Sequence, residues 1–323
     1  MACRTEMTAF AARVPEHTRN FLVVGSPIEH SLSPVLHRAA YRALGVEDAR
    51  YDRARIDQGE LAAYLAAAPT SLRGLSVTMP LKAEAYALAD SHDEVSYTLG
   101  IANTLIRRGD GWHCENHDVF GIVAALSPML FPDNHDTIDS DKARLLQVPP
   151  AEFEFSQRCA TIIGSGATAT SAALACWELG VTHLRVVARN VVAARQLADL
   201  CTSWGIQAWT EQLAPWTIGR ALDCDVLIST IPREGARVVS EWLAANQPDD
   251  IQRQPIAALD CLYNPWPAPI AAALGERGIP VAGGADMLLH QAARQIESML
   301  GILQAPLDAM RCALTQELQR RQA

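Results

Sequence analysis

The chain has 323 residues, of which 49% are hydrophobic and 20% charged, and its formal net charge is −9. This composition is typical of a folded globular protein with room for two domains, and it argues against a disordered chain. The acidic balance argues against a broad basic surface for nucleic acid. No apolar run approaches the length of a membrane span.

The eight cysteines are scattered along the chain and form no CxxC pair. The sequence therefore predicts neither a zinc site nor a disulfide framework. Residues 1–20 lack the apolar stretch of a signal peptide. We expect a cytoplasmic protein with no metal, no membrane partner and no nucleic-acid partner.

Strand and helix patterns alternate through the first part of the chain. Proline in a first turn, alanine-rich stretches and a Gly-Asp-Gly turn mark where elements begin and end. The predicted elements are strand 21–25, helix 34–45, helix 61–68, strand 74–78, helix 81–89 and a hairpin of 101–108 with 111–116.

A lysine follows the strand that ends at Pro80. Proline cannot donate to a sheet ladder, so it marks the end of the strand, and Lys82 comes two residues later. A lone lysine is ordinarily a solvated surface residue, because lysine is rarely buried without a partner. The alternative is that Lys82 points into a crevice at the strand end.

The second part of the chain has a different organisation. Residues 133–158 are acidic, contain proline and are weakly periodic, which predicts an exposed loop or insertion, with a regulatory segment as the alternative. Strands then alternate with helices, which predicts a parallel sheet covered on both faces. These elements are strand 159–163, helix 170–180, strands 183–190, 225–232 and 255–265, and a long helix after Gly284.

A glycine-rich turn joins the first strand and helix of this second part. It reads Gly164-Ser165-Gly166-Ala167-Thr168-Ala169 and fits GxGxxA. Glycines let the backbone turn tightly and approach a pyrophosphate, which then lies on the helix N-terminus. The alternative is a tight turn that binds no ligand.

The end of the next strand distinguishes NAD from NADP. An NAD-binding protein usually carries an acidic residue there for the ribose 2′-hydroxyl. This chain has Arg189 and Asn190 after Val187-Ala188, without a carboxylate. A guanidinium suits a 2′-phosphate, so the sequence predicts NADP. A plain surface arginine is the alternative.

Several stretches together resemble one family, the shikimate dehydrogenases. They run in order from residue 21 to about 301 and cover most of the chain. They are GSPIEHSLSPVLH, SVTMPLK, GIANTL, ENHDVFG, GSGATA, VVARN, LDCLYNPWPAP and GGADMLLHQA.

The resemblance implies an α/β fold with two domains and a cleft between them. Residues 1–118 would form the substrate domain, completed by the C-terminal helix over 284–323. Residues 119–283 would form a Rossmann-like, doubly wound NADP-binding domain with the insertion at 133–158. The implied reaction is the reversible reduction of 3-dehydroshikimate to shikimate with NADPH. The implied partner is this small-molecule substrate, and the implied assembly is a monomer or a homodimer.

The resemblance also implies a role for individual residues. Lys82 and Asp118 match the catalytic pair. The matching substrate-binding residues are Ser31, Ser33, Thr78, Asn103, Tyr263 and Gln291. The matching cofactor-binding residues are Gly164, Ser165, Gly166, Ala167, Thr168, Ala169, Arg189 and Asn190. Ser33 is also a candidate N-cap of the helix near Pro34.

The chain departs from the family's pattern at Ser76, His117, Val119, Ala188 and Asp286. His117 could add a titrating group to the site. In an extended segment, however, neighbours face opposite sides, so its side chain would point away from that of Asp118.

Two other functions are compatible with the same fold. One is an NAD-dependent quinate/shikimate dehydrogenase, against which the missing carboxylate after Val187 argues. The other is a non-catalytic sensor of shikimate-like ligands. The presence of both Lys82 and Asp118 argues against the sensor, because a binder needs no proton-transfer pair.

Overall fold

The computed structural model describes residues 18–132, 158–245 and 253–322. These ranges contain twelve strands and twelve helices. The strands are β1 Arg19–Gly25, β2 Ala49–Arg55, β3 Leu72–Val77, β4 Ser91–His92, β5 Thr104–Arg108, β6 Gly111–Glu115, β7 Arg158–Ile163, β8 Val181–Ala188, β9 Gln207–Gln212, β10 Val226–Ser229, β11 Ala257–Asp260 and β12 Val281–Gly283. The helices are α1 Ser33–Ala43, α2 Leu61–Ala66, α3 Lys82–Leu88, α4 Glu94–Leu99, α5 Asp118–Leu130, α6 Ala167–Glu178, α7 Val191–Ser203, α8 Ile218–Ala221, α9 Arg233–Ala245, α10 Pro269–Gly275, α11 Gly284–Leu300 and α12 Leu307–Gln322.

The first sheet is mixed and has the order β2-β1-β3-β5-β6-β4. Strand β1 runs parallel to β2 and β3, whereas β3–β5 and β5–β6 are antiparallel. Ser76 near the end of β3 therefore lies opposite Thr104 at the start of β5, which lies opposite Glu115 at the end of β6. This register brings the end of β3, the start of β5 and the end of β6 to one edge of the sheet.

The second sheet is wholly parallel and has the order β12-β11-β10-β7-β8-β9. Its first strand in the chain, β7, lies in the middle, with β8 on one side and β10 on the other. The strand order reverses between β7 and β10, and ligands of open parallel sheets bind at the carboxyl ends of strands around such a point. The loops after β7, β8 and β10 meet there.

The C-terminal helices pack on the first part of the chain. One apolar core contains Phe21 of β1 and Leu36 of α1 together with Ile296 of α11 and Met310 and Leu314 of α12. Helix α11 also packs along α5. The core shared with β1 and α1 agrees with the predicted return of residues 284–323 to the substrate domain, whereas α5 belongs to the residues predicted for the NADP-binding domain, so α11 contacts both. The domain boundaries, 118 among them, stay a prediction.

The predicted fold class is confirmed: two α/β units with one mixed and one parallel sheet. Four strands, β2, β4, β9 and β12, were missed, and so were helix α4 and the separate helix α12. The predicted N-cap role of Ser33 is wrong, because α1 begins at Ser33 and the cap position is Leu32, without a side-chain capping bond. The predicted strand over 255–265 is limited to Ala257–Asp260.

The predicted insertion lies outside the described residues except at Arg158, which is the first residue of β7. Within the described part of the chain, no helix combines the length and the apolar character needed to cross a bilayer.

Candidate active site

A cleft with two compartments lies between the carboxyl edges of the two sheets. The smaller compartment has a volume of about 280 Å³ and the larger one of about 690 Å³. Thr78, Lys82 and Thr168 line both, so the compartments open into each other. Thr78 and Lys82 follow β3 of the first sheet, whereas Thr168 follows β7 of the second.

An ion pair between Lys82 and Asp118 lies at this junction. Lys82 is the first residue of α3 and Asp118 the first of α5, so both follow strands that end at the same edge of the sheet. The Lys82 Nζ donates to Asp118 Oδ2, and the two side chains are only 10% and 7% exposed. A solvated surface lysine is therefore the wrong interpretation.

Amide side chains fix the position of the Asp118 carboxylate. Asn103 Nδ2 donates to Asp118 Oδ1 at 2.8 Å and lies 3.2 Å from Gln291 Oε1. Asn103 Oδ1 accepts from the His117 backbone N at 3.0 Å and from Thr104 Oγ1 at 2.8 Å. With its oxygen occupied in this way, the Asn103 amide can present only its NH2 group to Asp118.

The smaller compartment brings together the predicted substrate-binding residues. All six, Ser31, Ser33, Thr78, Asn103, Tyr263 and Gln291, line it together with Lys82 and Asp118. Ser31 and Ser33 come from the loop before α1 and its first turn, and the Ser33 backbone N donates to Ser31 Oγ at 3.3 Å. The compartment is therefore lined by hydroxyl and amide groups as well as by the ion pair.

A polar network that reaches the lining of this compartment through Ser76 and Gln295 was not predicted. Tyr51 OH donates to Ser76 Oγ at 2.6 Å, and Ser76 Oγ donates to Gln295 Oε1 at 2.7 Å. Gln295 Nε2 donates to the Asn103 carbonyl and to Thr104 Oγ1, both at 3.0 Å. The one available signal was the spacing of Gln291 and Gln295, which places both amides on the same face of α11.

His37 closes the network from the side of α1. Its ring stacks on that of Tyr51 with centroids 3.7 Å apart. Burial lowers the pKa of His37 to about 3, with an opposing contribution from Gln295. The imidazole is therefore neutral at physiological pH and acts as an aromatic packing partner.

The His117 side chain turns away from the ion pair, as predicted, but for a different reason. The residue is not extended, because it has φ −100° and ψ 0° just before α5. Its Nε2 lies 2.9 Å from Glu115 Oε2 instead. Burial raises the pKa of Glu115, but contacts led by His117 outweigh it and lower the value to about 2. His117 therefore pairs with a carboxylate outside the compartment.

The other departures from the pattern lie in different surroundings. Ser76 belongs to the network, and Val119 is buried in the core of the second sheet. Ala188 lines the larger compartment. Asp286 lies 3.6 Å from Arg311 and lines neither compartment of the cleft.

The larger compartment is a groove that contains the predicted cofactor-binding residues. All eight line it: Gly164, Ser165, Gly166, Ala167, Thr168, Ala169, Arg189 and Asn190. Sequence reasoning missed the opposite wall, Thr230, Ile231 and Pro232 after β10. Their position directly after a parallel strand was a signal for a ligand site.

The glycine-rich turn has the backbone geometry of an anion site. Gly164 has φ +128°, and a Cβ there would lie 2.2 Å from Thr230 Oγ1. A Cβ on Gly166 would meet no atom within 4 Å, so this residue faces open space. Helix α6 starts after Gly166 without a side-chain capping bond. Its first N–H groups are therefore available to an anion.

Arg189 and Asn190 form the rim of the groove after β8. Asn190 Oδ1 caps α7 by accepting from the Ala193 N at 3.1 Å. Arg189 is exposed on the rim. Within the described ranges, no carboxylate forms an ion pair with its guanidinium, which leaves this cation available to a ligand.

The fold and the cleft define a two-domain α/β protein of the dinucleotide-binding class. The family model described as the shikimate dehydrogenase substrate binding domain matches residues 23–105. The shikimate dehydrogenase (NADP(+)) of Nostoc sp. is 30% identical over 302 residues, which cover 92% of this chain and 96% of the relative.

Two solved structures extend the similarity. The shikimate dehydrogenase of Mycobacterium tuberculosis is 37% identical with a TM-score of 0.75, and the match covers 92% of this chain and 99% of that one. The shikimate 5-dehydrogenase of Mycobacterium fortuitum is 35% identical with a TM-score of 0.71, and the match covers 92% and 97%. This chain belongs to the shikimate dehydrogenase family.

Proposed function

We propose that this chain catalyses the reversible, NADP-dependent reduction of 3-dehydroshikimate to shikimate, a step of aromatic amino-acid biosynthesis. The observation that carries the proposal is the buried Lys82–Asp118 pair. It lies where a polar compartment of about 280 Å³ opens into a groove of about 690 Å³. A proton donor at such a junction faces a small substrate on one side and a redox cofactor on the other.

The groove suits NADP on three grounds. The open face of Gly166 and the uncapped start of α6 suit the pyrophosphate. The exposed Arg189 suits the 2′-phosphate, because a guanidinium pairs with phosphate in a fork geometry. When bound, the cofactor supplies the hydride.

Hydroxyl and amide groups orient the substrate. In the proposal, Ser31 and Ser33 donate to the substrate carboxylate, and Tyr263 closes that end of the compartment. Thr78, Asn103 and Gln291 bind the ring hydroxyls from the other side. The carbonyl to be reduced then lies toward Lys82.

Lys82 is the proposed proton donor. Reduction places negative charge on the carbonyl oxygen in the transition state, which an ammonium stabilises and then protonates. In the reverse direction the neutral amine accepts the proton of the hydroxyl. Asp118 orients the ammonium, and Asn103 orients Asp118 through the 2.8 Å hydrogen bond.

Steady-state kinetics on Lys82→Ala test this role. We expect kcat to fall by about 10²- to 10⁴-fold, the usual contribution of a positioned acid or base, with little change in the KM for shikimate. Lys82→Arg is the matched control. It keeps the charge but cannot release its proton, so it should lose comparable activity. A kcat within a few-fold of wild type, or a change in KM alone, would contradict the assignment.

The cofactor and the substrate that the wild-type protein prefers decide between the alternative functions. We expect shikimate with NADP to give the highest kcat/KM. Higher activity with quinate and NAD would instead identify a quinate/shikimate dehydrogenase, and binding without turnover would identify a sensor. A cytoplasmic location and a monomeric or homodimeric state stay part of the proposal. The seven cysteines within the described ranges are all free thiols, which supports a reducing compartment.

A further inference from the structure

The carboxylate end of the smaller compartment has hydroxyl donors but no dedicated cation. Its described lining contains two side chains that can carry positive charge, Lys82 and His30. Lys82 is committed to Asp118, which leaves His30 as the one other such side chain in the described lining. A substrate carboxylate held mainly by the hydroxyls of Ser31, Ser33 and Tyr263 would exchange strong hydration for neutral donors, which bind a charge more weakly than a cation does.

A guanidinium from the last turn of the chain lies directly behind this end. Arg321 of α12 donates from its NH1 group to the His30 backbone carbonyl at 2.8 Å. One peptide bond separates that carbonyl from Ser31. The Arg321 side chain is 16% exposed, so solvent only partly screens its charge.

The charge of the same guanidinium also influences Tyr263, another residue that lines the compartment. Burial raises the pKa of the Tyr263 phenol, and the charge of Arg321 opposes that rise. Arg321 therefore contacts the loop that carries Ser31, and its charge also influences the phenol of Tyr263.

The charge of Arg321 is not cancelled by its own partner. Arg321 Nε donates to Glu317 Oε1 at 2.8 Å. Arg320 binds both oxygens of Glu317, from its Nε and NH2 groups, also at 2.8 Å. Two guanidiniums thus share one carboxylate, and the cluster keeps a net charge of +1. Arg320 itself is on the outer side, with a side chain that is 72% exposed.

We propose that Arg321 is the positioning residue for the acid group of the substrate. It holds the His30 carbonyl so that Ser31 and Ser33 point into the compartment, and it supplies the positive potential that favours a carboxylate there. The last turn of α12 thereby selects acids over neutral analogues. This inference rests on the proposed function, because it takes shikimate as the bound acid.

The test compares two neighbouring arginines and two ligands that differ by one charge. Arg321→Ala, Arg321→Gln, Arg321→Lys and the control Arg320→Ala are assayed for kcat and KM with shikimate and NADP. Equilibrium affinity is measured by calorimetry for shikimate and for its neutral methyl ester. Thermal denaturation confirms that each variant is folded.

We expect Arg321→Ala and Arg321→Gln to raise the KM and Kd for shikimate about tenfold, the scale of one lost charge interaction at a partly buried site. Affinity for the methyl ester and kcat should change less than about twofold. Arg321→Lys should recover part of the lost affinity, because lysine restores the positive charge but not the planar set of donors of the guanidinium. Arg320→Ala keeps the bond from Arg321 to the His30 carbonyl but leaves Glu317 to neutralise Arg321 alone, so it should weaken shikimate binding less than Arg321→Ala does.

Several results would overturn the inference. The affinities for shikimate and for its methyl ester could fall equally in the Arg321 variants, which would mean that Arg321 has only a structural role. The Arg321 and Arg320 variants could behave alike, or all Arg321 variants could fail to fold. If wild type neither binds nor turns over shikimate, the proposed function fails and the inference fails with it. If wild type turns over shikimate and Arg321→Ala has the same KM and Kd as wild type, the inference fails but the proposed function stands.

Discussion

Gly121 is where the helix that carries Asp118 crosses the helix that carries Gln291. It lies three residues after Asp118 on α5, and a Cβ there would be 2.6 Å from the Met287 carbonyl oxygen and 3.0 Å from the Gln291 Cβ. Ordinary contact begins at 3.4 Å, so Gly121→Ala requires α11 to retreat by about 0.8 Å. The 3.2 Å contact between Asn103 and Gln291 would then exceed hydrogen-bond distance.

The consequence is a defect in both stability and activity. Overpacking between two buried helices costs roughly 1–3 kcal/mol of unfolding free energy. A displacement of about 1 Å in a residue that orients the substrate can cost up to roughly a hundredfold in rate. We therefore expect kcat/KM for shikimate to fall about ten- to hundredfold in Gly121→Ala, measured spectrophotometrically with NADP alongside urea denaturation.

Gly219→Ala is the matched control. This glycine is also helical, in α8, but an added Cβ would meet no atom within 4 Å. The variant should keep wild-type kinetics and gain about 0.5–1 kcal/mol of stability, since alanine suits a helix better than glycine. Wild-type kinetics in Gly121→Ala, or the same response in both variants, would refute the role of the helix crossing in holding Gln291.

Two further predictions concern cofactor choice and pH. Arg189→Ala should raise the KM for NADP about ten- to hundredfold and leave that for NAD nearly unchanged, because only the 2′-phosphate loses a partner; an equal loss with both cofactors would contradict this. Burial and, secondarily, Glu94 raise the pKa of Glu178 from 4.5 to about 7. The folded state therefore keeps a proton that the unfolded state releases, so this contribution to stability is full below pH 4.5 and is lost as the pH rises through about 7. Denaturation should show Glu178→Gln more stable than wild type by about 2 kcal/mol at pH 8, after allowance for partial exposure, and equal to it at pH 4; a constant difference would exclude the titration.

The sequence predicted the features that depend only on neighbouring residues, such as turns and strand ends. Gly164 is needed by the turn itself, and Pro80 ends a strand wherever the strand lies. The sequence did not predict strands β2 and β9, because both lie at a sheet edge. Charged and polar residues there interrupt the alternation of apolar and polar side chains. The bond between Ser76 and Gln295 joins residues 219 positions apart, so no spacing rule could anticipate it.

Because Ser76 and Gln295 lie so far apart in the chain, the bond between them can form only late in synthesis. At roughly 5–20 residues per second, Gln295, which lies 219 positions after Ser76, emerges from the ribosome about 10–45 s later. For that interval the apolar face of β1 lacks Ile296 and Met310, which belong to the same core. The N-terminal sheet is thus left partly uncovered until α11 and α12 have emerged. Slowing elongation over the last helices should lengthen the exposure of an aggregation-prone intermediate, and a chaperone that binds early would shorten it.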